Sequence, residues 1–299
     1  GTEEHQLELH GISNISNSIC NKLSELLRVG GVSNMKIFLD IVYAYLNGAN
    51  VNAKSIHIQK VDDPYLWQWE EEKGDKIGVI FYTSVLNSGN IEFANQILKQ
   101  LRLEGLNPRS IWVRSLKSKT IQRKVLSLFQ KEKVRCVLST TSFASVNYNN
   151  TENGNQIWDI LGKPIFQLIT SSKIKKEWNN STRGLDPIDL TLQVVLPELD
   201  GRITTKISAF KSIQENNKSL ATSIYKLKAD IINLKWISKL IRSWINIQKR
   251  DIKEIKACFV LSNYPIKDGR IANGVGLDTP NSLIILLKKL QNEGYYLGE

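Results

Sequence analysis

From Lys76 onward, short and continuously apolar runs alternate with amphipathic stretches of helical length. The runs Ile77–Tyr82, Ser110–Ser115, Arg135–Thr140 and Pro164–Thr170 read as strands, and Ile91–Leu103 and Thr120–Lys133 read as helices. A strand that is apolar at every position is covered on both faces, and strands joined through helices run parallel. The pattern predicts an α/β fold of the parallel-sheet, Rossmann or flavodoxin-like, kind.

The flanks of this region differ from it. Ile15, Ile19, Leu23 and Leu26 recur at helical spacing, as do Ile37, Ile41, Tyr45 and Leu46, and Gly30-Gly31 separates the two predicted helices. Asp62–Trp69 reads as an irregular connection anchored by its aromatics, and the Asn-rich 146–156 as an exposed loop. Leu190–Leu196 is consistent with either a buried helix or a strand, and Arg202–Phe210 reads as a strand. Leu220, Ile224, Leu227, Ile231, Leu234, Ile237, Ile241 and Ile245 then step by three or four, which predicts one long bridging helix over about 220–247. Ile232, Trp236 and Trp244 widen its apolar face beyond a coiled-coil seam, so packing into the protein's own core is favoured over a coiled-coil partner. Ala257–Ser262 reads as a further buried strand. Thr279 then caps a helix with Pro280 at its first position. The expected organisation is a helical segment over 1–75, a parallel-sheet lobe over 76–185 and a second α/β region over 186–299. A new α/β unit is just opening at Tyr295–Glu299, so the chain is expected to be a piece of a longer protein.

Charge and composition narrow the function. Forty Lys and Arg against 29 Asp and Glu leave a net charge of +11, which suits nucleic acid, an anionic small molecule or an acidic partner. The basic residues are scattered, the densest group being Lys173-Ile174-Lys175-Lys176, and no aromatic-rich strand for stacking bases is present. No nucleic-acid ligand is expected. No apolar stretch is long enough to span a bilayer, and no secretion signal opens the chain, so a cytoplasmic location is expected. Cys20, Cys136 and Cys258 are too scattered for a disulfide framework or a metal site; Cys136 and Cys258, inside apolar runs, are expected to be buried and inert.

Several catalytic signatures are missing. There is no GxxxxGK[ST] loop, and the three histidines (His5, His10, His57) are dispersed, so no metal site or triad is indicated. Two polar clusters stand out instead, each containing Asp-Gly-Arg-Ile: Leu196–Ile203 and Asn263–Pro280. The glycine lets both charged side chains project from one turn. The second cluster lies between a predicted strand end and a helix start, where open α/β sheets place ligands. Glu198, Asp200, Arg202, Tyr264, Asp268, Arg270, Asn273 and Asp278 are therefore the ligand-binding candidates. Salt-bridged turns that lock the structure are the competing explanation for both Asp–Arg sets. No catalytic residue is assigned.

The same clusters resemble a known family. Ser262–Pro280 continuing to Tyr295, Gly184-Leu185-Asp186-Pro187-Ile188-Asp189-Leu190 continuing through Val194–Arg202, and Gly78–Asn90 with its Ser88-Gly89-Asn90 are similar to the large subunit of cobaltochelatases and of their magnesium-chelatase relatives. The resemblance covers at least residues 76–299, with residues 1–75 compatible with it, and Asn263–Pro280 is closer to the cobalt branch. It implies an N-terminal fragment of the tetrapyrrole-binding subunit of an ATP-dependent enzyme that inserts Co²⁺ into hydrogenobyrinic acid a,c-diamide during cobalamin synthesis. It also implies AAA+ ATPase and bridging subunits that handle ATP and Mg²⁺, and a metal-insertion centre largely beyond Glu299, so the isolated fragment is expected to be inactive. Arg202 and Arg270 would anchor the carboxylates of the corrinoid. The alternatives are a magnesium–protoporphyrin chelatase subunit and a non-catalytic tetrapyrrole-binding module.

Overall fold

In the computed structural model, which describes residues 15–70, 73–145, 157–262, 272–274 and 276–298, the apolar runs become the centre of one sheet. Its strands are β1 (Tyr65–Trp67), β2 (Asp75–Tyr82), β3 (Leu106–Val113), β4 (Val137–Ser139), β5 (Ile165–Ile174), β6 (Ile203–Asn217) and β7 (Thr222–Ala229). The order among the described residues is β1-β3-β2-β4-β5-β6-β7. The five inner strands β3-β2-β4-β5-β6 are parallel to their neighbours, while β1 and β7 run antiparallel at the edges. This is the doubly wound, flavodoxin-like arrangement, in which the winding direction reverses between β2 and β4.

Both faces of the sheet are covered, as the unbroken apolar runs require. On one face, Ile80, Ile111, Val113, Val137 and Ile165 pack with Val125 and Phe129 of α5 (Lys119–Lys131) and Trp158 and Leu161 of α6 (Ile157–Leu161). Gly78 is what lets α5 approach: a Cβ there would lie 2.7 Å from the Phe129 ring. The short helix α3 (Thr83–Asn87) leads from β2 toward α4 (Glu92–Leu103). On the other face, Phe81 meets Phe93 of α4 edge-on at 6.0 Å and Trp112 at 4.8 Å. Leu234 and Ile237 of α10 (Ile231–Lys249) face Ile97, Leu101, Leu138 and Leu168, so this part of the apolar stripe does pack into the chain's own core.

The long helix is shorter than its stripe predicted. Thr222–Ala229 is strand β7, paired antiparallel with β6 from Ala209↔Ala229 to Asn217↔Thr222, and the helix begins only at Ile231. Leu220, Ile224 and Leu227 keep helical spacing, but Thr222, Ile224 and Tyr225 favour extended backbone, and the open edge of β6 offers a partner that local periodicity cannot register. Asp230 marks the change. Its Oδ1 accepts from the amides of Ile232 and Asn233 at 3.1 and 3.2 Å, while Nζ of Lys175, which opens α7 (Lys175–Asn179), lies 2.8 Å from Oδ2. Burial opposes ionisation of this carboxyl, but Lys175 and the helix amides outweigh it and hold the pKa below the ordinary value.

Other expectations are met or shifted locally. The N-terminal helices are α1 (Asn17–Val29) and α2 (Val32–Leu46), closed on Ile19, Leu26, Ile41 and Ile56; Leu46, counted in the second stripe, is exposed. Tyr65–Trp67, expected to be irregular, is an edge strand with Trp67 against Trp112 at 5.1 Å. The ambiguous 190–196 segment is a π-helix (Thr191–Val195) between the short helices α8 (Pro187–Leu190) and α9 (Leu196–Leu199). Ala257–Ser262 forms no strand: no strand among the described residues pairs with it, and Phe259, Val260 and Cys258 are exposed, Val260 at 90%. Apolar content marks a segment that can be buried, but a strand also needs a neighbour with free backbone groups. The last helix, α11 (Thr279–Asn292), is capped by Asp278, whose side chain accepts from Asn281 N at 3.2 Å, one residue before the predicted Thr279. The expected loop at 146–156 lies outside the described residues. The chain divides into two compact units, residues 1–240 and 241–299, and β5 and β6 pair within one sheet on either side of residue 185.

Candidate functional site

Open α/β sheets place ligands at the carboxyl ends of their strands, beside the point where the winding reverses. Here that point is the end of β2 at Tyr82 and the segment Thr140–Ser145 after β4. Arg202 and Asp200, from the turn before β6, occupy it. Their side chains are 0% exposed and lie 2.8 Å apart.

The guanidinium is fully engaged. Nε donates to Asp200 Oδ2 at 3.2 Å, Nη1 to Thr141 O at 2.8 Å and Gln167 Oε1 at 3.0 Å, and Nη2 to Asp200 Oδ2 at 2.8 Å and Phe143 O at 3.2 Å. Asp200 also accepts from Ser145 N at 2.7 Å and Ser145 Oγ at 2.8 Å, and Trp158 Nε1 donates to that hydroxyl at 2.9 Å. Burial pulls the Arg202 pKa down, and the Asp200 carboxylate opposes it. Burial also raises the Tyr82 phenol, against the pull of Arg202; its hydroxyl donates to Ser142 O at 2.7 Å. The pair bolts the loop after β4 onto the sheet. It leaves no guanidinium N–H for an incoming carboxylate.

A cleft of about 330 Å³ opens farther along the same edge, lined by Asn90, Thr170–Ser172, Asp189, Gln193, Lys211 and Tyr225–Leu227. The segment Gly184–Leu190 builds one wall. Asp186 precedes α8 and pairs with Lys173 at 3.1 Å, while buried Asp189 accepts from Ser172 N at 2.7 Å and Ser172 Oγ at 2.8 Å. Gln193, turned inward by the π-helix, accepts from Thr170 N at 2.7 Å and donates to Thr170 O. π-helical turns recur at functional sites. The opposite wall is the β6–β7 ribbon, where Asn90 accepts from Leu227 N at 3.3 Å. Ser88-Gly89-Asn90 and Gly184–Leu190, far apart in sequence, thus meet at one cleft.

The remaining candidates fall elsewhere. Glu198 is exposed and accepts from Thr204 Oγ1 at 3.3 Å. Asn273 and Asp278 belong to the second unit; the Asn273 carbonyl accepts from Ser262 Oγ at 3.1 Å, and Asp278 is the cap of α11. Tyr264, Asp268 and Arg270 lie outside the described residues. Among the described residues no three His, Cys, Asp or Glu side chains cluster as metal ligands would. Lys211, Lys226, Asn90 and Ser172 were not candidates from sequence. The available signal was that the two motif segments ending at Asn90 and Leu190 needed a common purpose.

Comparison with known proteins bears on this site. Residues 17–299 match the CobN/Magnesium Chelatase family. The aerobic cobaltochelatase subunit CobN of Pseudomonas aeruginosa is 28% identical over 99% of this chain and 24% of its own length. The chloroplastic magnesium-chelatase subunit ChlH of Oryza sativa subsp. indica is 26% identical over 73% of this chain and 16% of its own. The solved catalytic subunit of cobaltochelatase from Mycobacterium tuberculosis superposes with a TM-score of 0.71 at 20% identity, covering 98% of this chain and 24% of that one. It shares the fold. The chain spans about a quarter of the length of these cobalt relatives.

Proposed function

Because the chain belongs to the CobN/magnesium chelatase family, we propose that it is the head of a cobaltochelatase large subunit, which holds a corrinoid while Co²⁺ is inserted. The observation that carries this reading is the cobalt-type relative's match over 99% of the chain, against 73% for the magnesium-type relative. The ring substrate is hydrogenobyrinic acid a,c-diamide. ATP and Mg²⁺ are handled by AAA+ and bridging partner subunits in the cytoplasm, in keeping with the missing phosphate-binding loop in this sequence. No described helix is long and apolar enough to cross a membrane.

Metal insertion requires the ring to be held, the metal to lose water and two ring N–H protons to pass to a base. In this reading the chain supplies the holding step. Its stiff sheet fixes the carboxyl-edge loops, with Arg202 and Asp200 as positioning residues, and the base lies in the rest of the subunit. The test is a titration of the chain with a metal-free corrinoid and, separately, protoporphyrin, following quenching of its seven tryptophans. Saturable corrinoid binding is expected. A preference for protoporphyrin would move the chain to the magnesium branch, and binding of neither would assign ring recognition to other parts of the protein.

A further inference from the structure

We infer that the chain forms a reversible, two-fold symmetric dimer in which α2 packs antiparallel against α2 of a second copy, with Leu39 on the symmetry axis. The pairing is independent of which ligand the sheet holds and uses a part of the chain to which the ring reading gives no role.

Helix α2 is apolar on both sides. Ile37, Ile41 and Tyr45 close on Ile19 and Leu26 of α1. The opposite side carries Val32, Met35, Leu39, Tyr43 and Leu46, all exposed, from 37% at Met35 to 82% at Leu46. At 3.6 residues per turn, all of them fall within about 40° of Leu39 on either side, in one straight stripe about 21 Å long. A helix that is apolar all round belongs in an interior. A contiguous apolar stripe of this length on a surface marks an interaction site.

The order of the stripe selects the occupant. Met35 lies four residues before Leu39 and Tyr43 four after it; Val32 lies seven before and Leu46 seven after. The spacing is therefore the same read from either end, as an isologous interface requires. An antiparallel pair centred on Leu39 sets Met35 against the partner's Tyr43, Val32 against the partner's Leu46 and Leu39 against the partner's Leu39. The flanking charges obey the same symmetry. Lys36 and Asp40 are exposed, and neither is ion-paired among the described residues. They lie about 60° and about 100° round from Leu39 on the same side of the stripe. Across a two-fold axis each flank faces its own copy, so Lys36 meets the partner's Asp40, about 3 Å away along the axis, and the reverse pair forms symmetrically. A helix that lies on lipid carries a polar face rich in Lys and Arg, whereas one Lys and one Asp balance here. An unrelated partner would place no symmetry on the spacing. A seam of two heptads makes the dimer reversible and not obligate.

Sedimentation velocity on the 299-residue chain over a concentration series should show monomer passing to dimer and stopping there. Leu39→Glu puts two carboxylates on the axis and should weaken association about tenfold or more. Lys36→Asp and Asp40→Lys each set like charges across the seam and should each weaken it, and the two together should restore it toward the parent. With Cys20→Ser and Cys258→Ser removing the accessible thiols, Leu39→Cys should cross-link to itself on oxidation. Val32→Cys, about 21 Å from its counterpart, should not. The changed positions on α2 face solvent, and circular dichroism confirms that each variant is folded. A monomer at every concentration, or a dimer that Leu39→Glu leaves intact, overturns the pairing. Self-linking of Val32→Cys, or no recovery in the charge swap, overturns the antiparallel orientation, and a ladder of larger species overturns the two-fold closure.

Discussion

Arg202 Nη2 and Asp200 Oδ2 stand 2.8 Å apart with both side chains sealed from solvent, and together they hold Ser145, Thr141 and Phe143 in place. A buried pair of this kind contributes little net stability while intact, yet is costly to break, because the survivor is left as an uncompensated charge. Arg202→Met is expected to lower unfolding free energy by about 3–5 kcal/mol. Adding Asp200→Asn to it should recover part of that loss. Urea denaturation of the two variants and the parent measures both. Equal stability of Arg202→Met and the parent would contradict the bolt.

A second ion cluster gives the acid limb of stability. Lys76 Nζ at 2.7 Å and Arg109 Nε at 2.9 Å converge on Glu132 Oε2. These hydrogen bonds, first Lys76 and then Arg109, hold its pKa below the ordinary 4.5. A carboxyl depressed in the folded state binds more protons when unfolded, so its contribution is complete above about pH 4.5 and fades as pH falls through the lower native value. Unfolding free energy measured from about pH 6 to about pH 3 should fall less steeply in Glu132→Gln than in the parent. Identical slopes would remove Glu132 from the account.

At Gly78 the constraint is steric. An added Cβ would come within 2.7 Å of the Phe129 ring, which is itself fully buried. Gly78→Ala should therefore destabilise by about 1–3 kcal/mol through overpacking. A thermal melt reads this, and Gly78→Ala combined with Phe129→Leu should recover part of the loss.

The cysteines should react in sequence. Cys258 is exposed, Cys20 is half-buried, and Cys136 is buried with its thiol pushed up by desolvation. A thiol reagent added to the native chain should modify Cys258 first and reach Cys136 only on unfolding. Mass spectrometry after timed quenching identifies the order. Early labelling of Cys136 would show that the sheet opens under native conditions.

Much of the central sheet was legible because strands buried on both faces carry an unbroken apolar signal, as Ile77–Phe81 and Leu106–Val113 do. Legibility stopped where pairing is non-local. Leu220, Ile224 and Leu227 fit a helical stripe as well as they fit β7, and only the edge of β6 decides between them. The Asp200–Arg202 turn could be read as an ion pair from its spacing. Its burial could not, since Thr141 and Ser145 arrive from another loop. The cleft was invisible for the same reason: Lys211 and Tyr225 share one face only through the register that sets Lys211 opposite Leu227 and Ile213 opposite Tyr225.

That register also governs how the two sides of the cleft respond to force. β6 pairs with β5 only as far as Lys211↔Ile174; beyond it, Ser212–Asn217 has β7 as its only neighbouring strand among the described residues. A two-stranded ribbon twists more than a sheet and is marginal alone, so this stretch is mechanically soft, whereas Asp189 and Gln193 are clamped to β5. Lys211 stands at the root of the soft arm. A load on the arm therefore bends the ribbon about a fixed root, and the strain stays in the arm without reaching the core.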